Sequence, residues 1–134
     1  MDNEQKEIKR GDIFYVSCPE EVLGSEQRGR RPAVVVSNNM NNRYSTIVEV
    51  VYLTTQRKSP IPTHVQIKSL PRISTALCEQ ISSISVKRLG QRLGHCTPQE
   101  MECIDFALCI SIGLDNGKVL RVPAGDKKER TIGA

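Results

Sequence analysis

The chain has no tryptophan, only two phenylalanines and three tyrosines in 134 residues. Aliphatic side chains must therefore supply most of the burial in its core. Apolar residues make up 38% of the sequence, enough for one modest core, and no apolar run approaches the roughly 20 residues a spanning helix needs. Cysteine is present five times (Cys18, Cys78, Cys96, Cys103, Cys109), but no two form a C-x-x-C pair and the number is odd. A disulfide framework and a zinc ribbon are both unsupported by that spacing, and all five read as free thiols in a reducing cytoplasm. Histidine occurs only twice, as His64 and His95, and no His/Cys/Asp/Glu cluster has metal-ligand spacing. The sequence thus predicts no catalytic metal and no cofactor. Neither sign of charge predominates: 19 basic and 15 acidic residues leave +4, with a pI near 8.9. That balance permits nucleic-acid binding without proving it.

The first seven residues, Met1 to Glu7, are charged throughout and do not read as a signal peptide. One domain over 1–134 is expected, with a cytoplasmic location.

The densest signal is Gly24-Ser25-Glu26-Gln27-Arg28-Gly29-Arg30-Arg31-Pro32, running straight into Ala33-Val34-Val35-Val36. Glycine lets a loop bend close to a polyanion, and Arg28, Arg30 and Arg31 are permanently charged forks suited to phosphate. Pro32 sets the chain direction into the strand. A solvated hairpin connection of the same composition is the bland alternative.

Alternation predicts strands at Ile13–Cys18 and His64–Lys68, the latter with Val65 and Ile67 pointing inward. Ala33–Ser37 is continuous apolar, as expected of a strand covered on both faces, and Ile47–Thr54 is the longest strand candidate, its apolar run interrupted by Glu49. Asn38 to Asn42 reads as a turn. Ala76–Ile84 reads as one bent strand or two, carrying Glu79-Gln80. A short helical turn is expected at Ser85–Gly90 and a last strand at Gln91–Cys96. Thr97-Pro98-Gln99-Glu100 is a capping box with proline at the first helical position. The helix it opens carries Met101, Ile104, Leu108 and Ser111 at helical spacing, flanked by Cys103, Ala107, Ile110 and Leu114, and should end near 113–117. Short strands with turn-punctuated spacing suggest a small closed β-barrel onto which this helix packs.

Lys9-Arg10-Gly11-Asp12-Ile13, Gly24-Ser25-Glu26-Gln27 and Arg31-Pro32 stand in this order before a valine-rich strand. Leu53-Thr54-Thr55-Gln56, Pro62-Thr63-His64-Val65 and Leu77-Cys78-Glu79-Gln80-Ile81 follow. Together, over residues 8 to 114, they resemble the MazF/PemK family of toxin endoribonucleases, and the resemblance implies a core at 8–114 with a C-terminal extension at 115–134. The resemblance implies a mainly β, SH3-like small barrel with a C-terminal helix, acting as a homodimer. It further implies a sequence-selective cut in single-stranded RNA that leaves 2′,3′-cyclic phosphate and 5′-hydroxyl ends. It places catalysis on Arg31 and Thr54 and suggests that Gln80 lines a base-reading groove; a glutamine that merely pairs backbone at a barrel rim is the alternative. Ser25, Glu26, Gln27, Arg28 and Arg30 are expected to contact RNA, with help from the asparagine turn, Arg43 and Tyr44. A cognate antitoxin is the implied protein partner, and operator DNA is expected only for the toxin–antitoxin complex.

Arg31 suits electrostatic stabilisation and proton donation rather than general-base work, because guanidinium stays protonated below about pH 12. The base is unassigned; Glu26 is a candidate, with a solvated or loop-ordering carboxylate as the alternative. His64 sits on the polar face of its strand and reads as structural or solvated; His95 has no stronger claim. Arg28 and Arg30 make the loop more basic than is usual in the family. Two other classes of function fit less well. A gyrase-binding toxin of the related CcdB type would not need Arg31 and Thr54 together. A non-catalytic RNA-binding or autoregulatory DNA-binding module is compatible with the same residues.

Overall fold

The computed structural model describes residues 7–17 and 29–115. Six antiparallel strands form one sheet: β1 (Asp12–Ser17), β2 (Arg30–Val35), β3 (Ile47–Thr54), β4 (His64–Ile67), β5 (Ser74–Ser85) and β6 (Leu89–His95). Their spatial order is β4-β5-β3-β2-β1-β6. Helix α1 (Asn39–Tyr44) joins β2 to β3, a 3₁₀ turn at Val86–Arg88 joins β5 to β6, and helix α2 (Pro98–Ser111) follows. The edge strands β4 and β6 do not pair, so the sheet is barrel-like rather than closed.

Because side chains alternate across a strand, the sheet builds two cores. Ile13, Val34, Val51, Leu53, Val65 and Ile67 pack on one face with Ile104 and Ala107 of α2. Phe14, Val16, Ala33, Val35, Val48, Val50, Tyr52, Ile84 and Leu89 pack on the other. The continuous apolar runs of β1 and β2 have this cause: both of their faces are covered.

The capping box forms as its sequence predicts. Glu100 N–H donates to Thr97 Oγ1 (3.1 Å) and Thr97 N–H donates to Glu100 Oε1 (2.9 Å). Glu100 also accepts from the Lys68 amide (2.6 Å) and the Ser69 hydroxyl, tying α2 to the β4–β5 connection. Burial would raise the Glu100 carboxyl, but these donors outweigh it and hold it below the usual range. The helix is shorter than expected, and Leu114 is exposed beyond its end. Phe106, off the expected stripe, is buried.

The asparagine segment is a helix, not a turn. Asn38 caps it by accepting from the Asn41 amide (2.8 Å), and the buried Asn42 donates to Ser37 O (2.8 Å). Asparagine-rich composition looks like a turn, but here the amides spend their bonds on helix ends. Gly11 is required as glycine: its φ is +97°, and a Cβ would sit 3.0 Å from the His95 ring. No helix among the described residues is long and apolar enough to cross a membrane.

Candidate active site

Arg31 and Thr54 lie on one face of neighbouring strands. The β2–β3 ladder runs through Ala33–Tyr52, Val34–Val51 and Val35–Val50. Arg31 and Thr54 each stand two residues beyond its last pair, so side-chain alternation puts them on the face of Ala33 and Tyr52, turned away from α2. The Arg31 guanidinium lies 4.6 Å from the Tyr52 ring centroid, and Tyr52 is only 9% exposed. Stacking restrains the guanidinium through its plane while leaving its N–H edges free for an anion. The Gln56 amide donates to Thr54 Oγ1 (3.1 Å), which orients the hydroxyl and leaves its proton available.

Arg30 follows the opposite alternation. Its guanidinium lies 4.3 Å from the Tyr15 ring centroid, so neighbouring arginines in sequence occupy different faces of the sheet. Gly29, at φ +94°, adopts the left-handed backbone expected of a loop glycine. Ser25, Glu26, Gln27 and Arg28 lie outside the described residues, as do Cys18 and residues 116–134.

Gln80 lies in a bulge. Val51 pairs with Ile81 and Leu53 with Ala76, so two steps along β3 face five along β5. The extra residues put the 77–80 segment opposite Tyr52, with Glu79 and Gln80 exposed. Glu79 pins this bulge: it accepts from the Thr63 hydroxyl (2.9 Å) and contacts His64 Nε2 (3.1 Å), while His64 Nδ1 meets Ser59 O (2.8 Å). Burial pushes the Glu79 carboxyl up, but its hydrogen bonds and the nearby His64 leave it lowered overall. His64 is therefore a structural tie between the 55–63 loop and β5.

His95 is at the other end of the sheet and bonds Asp12 through Nδ1 (2.7 Å), so the two histidines serve different carboxylates. Helix α1, with Arg43 and Tyr44, also lies at that other end, because it connects the end of β2 to the start of β3. The expected RNA contacts from the asparagine segment are thus not brought beside Arg31 within one chain. Burial pushes the Cys96 thiol up to about 12, as expected of an inert core cysteine. Among the described residues Cys96 and Cys109 are free thiols, and no group of three His, Cys, Asp or Glu is placed to hold a metal ion.

Sequence inspection missed Tyr52 as the support of Arg31. Its signal was position: two residues before Thr54, on the same strand face.

Residues 9–112 match the model of the PemK-like, MazF-like toxins of type II toxin–antitoxin systems. Among solved structures, an endoribonuclease from a mycobacterial species is 30% identical, with a TM-score of 0.68, covering 81% of this chain and 93% of that one. An endoribonuclease in complex with its cognate antitoxin, also mycobacterial, is 34% identical at the same TM-score, covering 80% and 96%. MazF from Deinococcus radiodurans, 21% identical, shares the fold with a TM-score of 0.68 over 81% of this chain and 99% of its own. The match over 9–112 and the mainly β fold shared with these structures agree: the chain belongs to the PemK-like, MazF-like toxin family of type II toxin–antitoxin systems.

Proposed function

We propose that this protein is the toxin of a type II pair and a sequence-selective, metal-independent endoribonuclease acting on single-stranded RNA. The observation that supports the reading is that Arg31 is stacked on Tyr52, on the same sheet face as Thr54 two residues further along β3. The mycobacterial endoribonucleases, at 30% and 34% identity, support it.

Metal-free cleavage needs a 2′-hydroxyl that loses its proton as it attacks, stabilisation of the pentavalent phosphorus centre, and a proton for the leaving 5′-oxygen. Arg31 presents a fork to the non-bridging oxygens, where negative charge grows. It also carries protons within reach of the leaving oxygen. Thr54 donates its hydroxyl to a further non-bridging oxygen. The products are a 2′,3′-cyclic phosphate and a 5′-hydroxyl. The general base is unassigned, and Glu26 is the candidate. Arg28 and Arg30 contribute attraction for the RNA backbone, and Ser25, Gln27 and Gln80 line the path of the strand. Residues 8–114 carry the activity.

A homodimer gives RNA a longer cationic track than one subunit offers. A cognate antitoxin with an acidic, disordered segment would compete for the same arginines, consistent with the antitoxin-bound mycobacterial relative.

The decisive experiment is incubation of a long defined RNA in excess EDTA, with the new ends identified chemically. Cleavage leaving 5′-hydroxyls supports the mechanism; 5′-phosphates, or activity only on adding Mg²⁺, overturn it. Sedimentation at micromolar concentration checks the dimer, and a fully active monomer removes that claim.

A further inference from the structure

The face that carries Arg31 and Thr54 does not end at β3. Thr54 pairs with Thr75 of β5, and Thr75 pairs with Gln66 of β4. Directly paired residues share a face, so Thr54, Thr75 and Gln66 form one polar row across three strands, with Arg31 of β2 on the same face. The residues beside them confirm the face: Leu53, Ala76, Val65 and Ile67 all point into the core beneath α2. At a strand spacing of about 4.8 Å the row is about 10 Å long.

Three features set this row apart from an ordinary solvated sheet face. Thr75 is half-buried and its hydroxyl has no hydrogen-bond partner among the described residues, and Gln66 is exposed and equally unengaged. The chain segments leaving this end of β3 and β4 carry Arg57, Lys58, Lys68 and Arg72. All four are exposed, and none has an ion pair among the described residues. The acids nearest in the fold are already engaged, Glu79 by His64 and Thr63 and Glu100 by the α2 cap. The row is thus a line of spare donors in a net positive setting, continuous with the Arg31–Thr54 pair.

We propose that Thr75 and Gln66 are substrate-binding residues that extend the site by at least one nucleotide beyond the scissile phosphate. Thr75 donates its hydroxyl to the sugar–phosphate next to the one held by Arg31 and Thr54. Gln66, with both a donor and an acceptor on its amide, meets the edge of the following base and contributes to sequence selection. The occupant is single-stranded RNA, because a duplex would hide the base edge that Gln66 needs. This extension rests on the endoribonuclease reading.

The test pairs two readouts. Binding is measured by anisotropy with a mixed-sequence 2′-deoxy oligonucleotide, which lacks the nucleophile and cannot be cut. Cleavage is measured on a long RNA with its ends mapped. Thr75→Val keeps the β-branched shape and removes only the hydroxyl, so it should lower affinity and kcat/KM by about three- to tenfold. Thr75→Ser should restore most of both. Gln66→Ala should redistribute cleavage among sites. Melting temperatures verify that the variants fold. Wild-type binding and cut-site distribution in both Thr75→Val and Gln66→Ala would overturn the proposal. Wild-type protein that binds but never cuts would overturn the endoribonuclease reading instead, and the binding arm would still judge Thr75. Wild-type protein that neither binds nor cuts defeats both.

Discussion

The two ends of the sheet treat their polar side chains in opposite ways. At the Asp12 end nearly every group is committed. The buried Asp12 carboxylate accepts from the Lys9 amide (2.9 Å), from Arg92 (2.9 Å) and from His95 Nδ1 (2.7 Å). Arg10 donates its side chain to Val36 O (2.9 Å), pairs with Asp105 of α2, and donates its backbone amide to Asn39 Oδ1 (2.7 Å). At the Arg31 end the donors are held in place yet unspent: Arg31 rests on Tyr52, and Thr54 is oriented by the Gln56 amide. Buried polar groups that satisfy one another stabilise a fold; oriented groups without partners are equipped for a ligand. The first end ties the fold together, and the second keeps the donors that the proposed cleavage would use.

The sharpest way to break this comparison is to exchange effects between the ends. Arg31→Ala should lower the rate of RNA cleavage by about 10²- to 10³-fold, the usual consequence of losing a donor aimed at transition-state charge. Thr54→Ala should cost about tenfold or more. Both variants should melt near the wild type, since Arg31 makes a single ring contact with Tyr52 and Thr54 bonds only the Gln56 amide two residues away. Cleavage kinetics beside thermal melts decide the point; an active Arg31→Ala would move the chemistry elsewhere, and a dead but folded His64→Ala would indicate where.

Asp12→Ala should do the reverse. It strands the Lys9 amide and releases Arg92 and His95, with a cost of about 1–3 kcal/mol. Arg92 and His95 are about half exposed, so water can solvate them, and the cost stays below that of a fully buried pair. Denaturant unfolding should show the loss, whereas kcat per folded molecule should be preserved.

How much of this was legible in the sequence depended on the range of the interactions. The capping box is local, spans four residues, and formed as written. Strand β3 matched its expected bounds because an apolar run over eight residues has few alternatives. The Asn38–Asn42 segment was misread because composition does not say whether asparagine amides will cap a turn or a helix; Ser37, five residues from Asn42, decides it. Arg31 and Thr54 could be named through a family resemblance, but the stacking of Arg31 on Tyr52 depends on how β2 and β3 align, which the sequence of one strand does not contain. Thr75 and Gln66 were invisible for the same reason: each is an ordinary strand residue until β3, β5 and β4 align.

A smaller effect separates packing from hydrogen bonding at the α2 cap. Glu100 is held below the usual carboxylate range, so its contribution is complete above the unfolded value near 4.3 and is lost as the pH falls through the folded one. Glu100→Ala should cost about 1–2 kcal/mol at pH 7. The difference between wild type and variant should shrink on acidification below about pH 4. A constant difference across that range would remove the carboxylate's hydrogen bonds as the cause.

The smallest expected effect is the one that isolates the two neighbouring arginines. Arg30 is exposed and rests on Tyr15, on the opposite face from Arg31 and Thr54. Its charge still attracts RNA, but exposed charges are screened over about 8 Å at physiological ionic strength, so the contribution is diffuse. Arg30→Ala should therefore weaken RNA binding by only a few-fold, about two to five, and leave kcat at saturating RNA unchanged. If Arg30 neutralises one phosphate, the slope of log affinity against log salt should become less steep by about 0.7, the value for one contact on a single strand. Titrations at several salt concentrations measure that slope directly. A loss of kcat approaching that of Arg31→Ala would mean that both arginines reach the reacting phosphate, and that strand alternation does not divide their roles.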